Sequence, residues 1–98
     1  MPEKNGREVD IRSLPFEEKA GRFLRLVQVI SIAVGKEEEY TLRDLGKQIV
    51  QLHSMEEGEE KEEVRGQIHG IYDKLQASTN SKVAGAVFYI VSAETRFF

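Results

Sequence analysis

Ninety-eight residues with 17 acidic and 14 basic side chains, a net charge of −3, suffice for one small domain and exclude a multidomain machine. With 40% hydrophobic residues the chain can build a core, and without cysteine it has no disulfide framework, thiol chemistry or finger-type zinc site. A chain of this length buries only about 60–65% of its unfolded surface, so self-association is a natural source of further burial.

Residues 1–12 form a polar arm, and a single helical domain is expected over 13–98. Ser13 and Pro15 mark the start of a first helix over 14–34, with Glu17 and Glu18 at the positive end of its dipole. Phe16, Ala20, Phe23, Val27, Ile30 and Val34 recur at spacings of three and four, which is one helical face. The stretch from Leu26 to Val34 is apolar almost all round, so it needs cover on two sides. Gly35 supplies the stop.

Lys36 to Tyr40 reads as a charged connector, followed by a capping box in which Thr41 pairs with Asp44. The second helix is expected over 41–55, with Leu42, Leu45, Ile49 and Leu52 inward and Gly46 and His53 on the same side. A glycine on that face implies a close approach by another element. The acidic run Glu56–Glu63 turns near Gly58 and opens a third helix over 59–77. Val64, Ile68, Ile71 and Leu75 form its stripe, with Tyr72 at the edge and Gly66 and Gly70 opposite.

Ser78 to Ser81 offers new caps for a fourth helix over 82–96, whose inward positions are read as Val83, Ala84, Val87, Ile90 and Val91. The same segment also reads as a short C-terminal β-hairpin, which would make the fold α+β and winged-helix-like. The favoured class is all-α, a four-helix domain.

No catalytic constellation emerges. His53 and Ser54 are neighbours on a helix and do not face each other, and the glutamates lie on polar faces. His69 and Asp73 give two candidate metal ligands where zinc needs at least three from protein, so no metal or other cofactor is expected. Tyr40–Ile49 resembles the first helix of a helix-turn-helix unit, which would imply a turn glycine and two apolar positions where this chain has Val50, Glu56 and Glu59. Residues 1–35 carry +1 and residues 36–98 carry −4, and the acids lead the third helix, so nucleic acid is a poor partner. Phe97-Phe98 resembles the end of peptides that dock on sliding clamps, which would imply Gln and an aliphatic residue where Val91 and Glu94 stand, so the favoured reading is that both rings fold back on the core or sit in a dimer interface.

The sequence therefore points to a protein-interaction or structural module without chemistry of its own, a homodimer by expectation. A winged-helix-like regulator is the alternative. The candidate partner surface comprises Arg22, Arg25, Gly66, Gly70, Phe97 and Phe98. Neither charge-free stretch approaches the ~20 apolar residues that span a bilayer, so no membrane partner is expected. Fourteen Glu against three Asp, with no Cys or Trp, resembles the composition of heat-adapted intracellular proteins, and the expected address is the cytoplasm.

Overall fold

A single residue, Gly35, joins the first two helices. Its φ of +122° lies where only glycine is comfortable, so one residue reverses the chain that would otherwise need several. The computed structural model describes residues 11–78 and 80–98; the first ten residues of the polar arm lie outside the described residues. A short 3₁₀ turn at Ile11–Ser13 leads into α1 (Phe16–Val34), α2 (Lys36–Ser54), α3 (Glu59–Gln76) and α4 (Ser81–Phe97). The fold is all-α.

Two expectations are corrected. Lys36 to Tyr40 is the first turn and a half of α2, not a connector, and Thr41 and Asp44 sit inside the helix and cap nothing. The glutamates after Gly35 favour the positive helix end, which outweighs the cap that Thr41 offered. The β-hairpin does not form: residues 81–97 are one helix, and there is no strand among the described residues. A lone hairpin could not have buried Val83, Ala86, Ile90, Ala93 and Phe97 on one side, as the helix does.

The helices pack in a ring. α1 lies against α2 and α4, α2 against α3, and α4 closes the ring against α3. The core is continuous, and Phe23, Leu42, Leu45, Ile49 and Ile90 are wholly buried within it. The expected close approach at Gly46 is real: a Cβ there would lie 2.8 Å from Val27 Cγ1, so the glycine admits α1 against α2. Buried Ser31 satisfies its hydroxyl by donating to Val27 O at 2.6 Å.

Polar ties fix the helix ends. Asn80 caps α4 by accepting from the Lys82 amide at 2.9 Å, and its Nδ2 donates to Val34 O at 3.2 Å, the last carbonyl of α1. Ser78 donates to Glu38 Oε2 at 3.0 Å, which pins the end of α3 to the start of α2. The Cα atoms fill a slab of 49 × 34 × 16 Å with a radius of gyration of 14.8 Å, against roughly 12–13 Å for a compact domain of this length. A slab about two helices thick leaves much of each helix facing outward.

Candidate functional site

The phase of α4 decides where the exposed apolar surface lies. Its buried residues are Val83, Ala86, Ile90, Ala93 and Phe97. Alanines thus share the inner face with Val83, Ile90 and Phe97, and Phe88 and Tyr89 turn outward. Val83 and Ile90 are buried as read from the sequence, whereas Ala84 and Val91 are exposed, because the buried stripe runs through Ala86 and Ala93 in their place. Phe88 is 73% exposed and Tyr89 61%.

α1 contributes the neighbouring strip. The core stripe through Ala20, Phe23, Val27, Ser31 and Val34 leaves Val29 61% exposed and Ile32 56% exposed. The two apolar stretches that the sequence singled out thus lie side by side. A groove of about 300 Å³ runs between them, with Val29 and Ala33 on its α1 wall and Gly85 and Tyr89 on its α4 wall. On the other flank of α4 a second groove, of about 520 Å³, is lined by Leu75, Val83, Ala84, Val87, Phe88 and Val91. From 26 to 34 and from 83 to 93 there is no charged side chain.

The residues proposed from the sequence as a partner surface are not brought together. Phe97 is buried against Phe23, with ring centroids 5.8 Å apart. Phe98 folds back over Phe16 and Phe23 and stacks on His53. Both aromatics are therefore committed within the molecule. Arg22 pairs with Glu18 along α1 at 2.9 Å, and Arg25 is exposed on the same helix. Gly66 and Gly70 lie on the exposed side of α3, and Gly70 edges a groove lined by Asp44, Gln48, Gln67, Ile71 and Lys74.

Ionisable groups are tied into local pairs. His53 Nε2 donates to Glu94 Oε2 at 2.7 Å, as a half-buried histidine requires, and Ser54 donates instead to Gln51 O. His69 is exposed and meets the edge of Tyr72. Burial, and then the Glu94 carboxylate, raise the Tyr72 phenol above its ordinary value. A hydrogen bond from Lys61 and its charge hold Glu57 below the usual carboxylate range. Among the described residues no three His, Cys, Asp or Glu side chains converge to hold a metal ion, and no helix is long and apolar enough to cross a membrane.

Compared with protein-family models, curated proteins and solved structures, the chain matches none. What it does must be argued from the surface just described. The signal for Val29, Ile32, Phe88 and Tyr89 was present in the sequence as two stretches apolar on more than one face. Which residues of each stretch point outward depended on the helix phase, and the alanines obscured it.

Proposed function

We propose that this chain is a non-catalytic protein-association module that works as a homodimer through the exposed apolar face of α4, which α1 and α3 border. The carrying observation is that Phe88, Tyr89 and Val91 of α4 are exposed on a stretch, 83–93, that carries no charge, with Val29 of α1 beside Tyr89 across a groove that Lys82 edges. Their exposed area is on the order of 500 Å² per protomer, at the upper end of what monomers leave in water and often functional at that size. A standard interface takes roughly 800 Å² per partner, so the walls of the two grooves beside these side chains must supply the rest. Aromatic residues at the centre of the face suit an association hot spot.

Other features support the reading. The acidic run Glu56–Glu63 is exposed but for Lys61 and leads α3, so a nucleic-acid partner would meet repulsion there. His53, the one histidine beside other polar groups in a half-buried setting, is committed to Glu94, which supports a role without catalysis. A composition rich in Glu and Lys and free of cysteine supports a cytoplasmic setting.

Sedimentation velocity across the micromolar range tests the proposal. A dimer is expected for the natural sequence, and Tyr89→Glu, at an exposed position of α4, should shift it to monomer with an unchanged helical circular dichroism spectrum. A natural chain that stays strictly monomeric at the highest concentration would sink the homodimer. Conversion of the natural dimer to monomer by high salt alone would point to charge pairing and away from this apolar face.

A further inference from the structure

Resting on the self-association proposed above, the structure also indicates how two copies meet. A two-fold interface uses the same patch twice, so it needs a protrusion and a matching recess on one face. The α4 face has both. Phe88 stands out of it, and the 520 Å³ groove opens beside it between α3 and α4. We propose that two copies pair α4 against α4 in antiparallel fashion, with Phe88 of each seated in the α3–α4 groove of the other.

The orientation follows from which side each ring takes. Phe88 leans toward α3, where it lines the groove with Leu75, and Tyr89 leans toward α1, beside Val29 and Ala33. A two-fold axis lying in the interface across α4 keeps the α3 side of one copy over the α3 side of the other. That delivers Phe88 to the partner's groove. An axis along α4 would carry Phe88 to the partner's α1 edge, away from the recess.

The level of the axis follows from the small residues. Ala84 lies one turn before Phe88 on the same flank and is exposed. Setting Phe88 over the partner's Ala84 centres the axis near residue 86. Gly85 of the two copies then lies within about 3 Å along the helix direction. Nothing surrounds the Cβ position at Gly85, so the backbones can approach there. The α4 stretch at the centre of the contact, residues 83–93, carries no charged side chain on either copy, and the groove adds neutral polar residues such as Gln76, Ser78 and Ser81. The polar arm is a poor rival occupant of the face, since Glu3, Lys4, Arg7, Glu8 and Asp10 put five charges into its ten residues.

The absence of cysteine makes the test clean. Gly85→Cys and Gly66→Cys are compared for disulfide-linked dimer under mild oxidation, and self-association is measured for Phe88→Glu and Phe88→Leu. Both glycines have open space for the new side chain, and Phe88 is exposed, so each variant should keep its fold, checked by circular dichroism. Expected are crosslinking at Gly85 and not at Gly66, loss of association by roughly a hundredfold or more in Phe88→Glu, and retention in Phe88→Leu. A dimer that crosslinks at Gly66, fails to crosslink at Gly85 or survives Phe88→Glu overturns this pairing and leaves self-association standing. A natural chain that is monomeric throughout overturns both.

Discussion

His53 on α2 and Glu94 on α4 are 41 residues apart, yet His53 Nε2 and Glu94 Oε2 meet at 2.7 Å across the ring of helices. The imidazole also lies flat on the Phe98 ring, with centroids 4.6 Å apart and planes within 8°. Lys19 adds a cation 5.4 Å from the Phe98 centroid. One cluster thus binds the end of α4 to α2 and α1, and it fixes the rotation of α4 that turns Phe88 and Tyr89 outward.

Removing the imidazole should therefore loosen α4 specifically. His53→Ala is expected to cost about 1–2 kcal/mol, the sum of a net hydrogen bond and a ring contact. Glu94→Gln should cost less, because the amide oxygen still accepts from His53 at the same place. Urea titrations of the two single variants and the double variant measure the coupling. Additive losses would show that the pair does not act as a unit.

The glycines divide by what surrounds them. Gly46→Ala gains up to about 1 kcal/mol of helix propensity but drives a Cβ to 2.8 Å from Val27, a buried, β-branched side chain with little freedom to turn. A net loss of about 1–3 kcal/mol is expected. Gly66→Ala and Gly70→Ala meet nothing within 4 Å and should each stabilise the chain by roughly 0.5–1 kcal/mol. Thermal melts of the three variants decide it, and a stabilised Gly46→Ala would contradict the packing.

Much of this architecture is legible in the sequence. Leu42, Leu45, Ile49 and Leu52 repeat at helical spacing with few competing apolar positions, so one face was fixed, and all four are buried. α4 was harder because Val83 to Ala93 is apolar on every side, and periodicity cannot choose among equivalent faces. Close approach of α1 and α3 selected Ala86 and Ala93 for the inside. The same choice moved the candidate site. Phe97 and Phe98 stood out as terminal aromatics, but their partners Phe16, Phe23 and His53 come from two other helices and no local pattern announces them. The start of α2 was missed because a one-residue link through a positive φ leaves no loop composition to read.

Asn80 joins two elements with one side chain, capping α4 and holding the final carbonyl of α1. Asn80→Ala should cost about 1–2 kcal/mol through the lost cap and the unpaired carbonyl. Asn80→Asp keeps an acceptor for the Lys82 amide and gains from the helix dipole, but it cannot donate to Val34. Hydrogen exchange should therefore separate the two roles. Alanine should expose the first turn of α4, whereas aspartate should leave that turn protected and loosen only its junction with α1. Equal protection in both variants would show that the cap carries no weight, and an aspartate variant that exchanges like the natural chain would show the same of the link to Val34.

Tyr72 gives the seam between α3 and α4 a pH signature. Burial and the Glu94 charge hold its phenol above the ordinary value of 10.0. As pH rises the unfolded chain releases this proton first, so the group's contribution to stability is complete below about pH 10. It is lost as pH climbs through the higher folded value, because the folded state must then bury or expel a phenolate next to a carboxylate. Urea midpoints should therefore fall on the alkaline side of pH 10, and Tyr72→Phe should flatten that fall relative to the parent chain. The comparison isolates Tyr72, because every other ionisable side chain is the same in both proteins. Because Glu94 also accepts from His53, Glu94→Gln should flatten the same limb in part, by removing the charge that adds to burial. An alkaline limb identical in the parent and in Tyr72→Phe would show that the ring is not held in the seam.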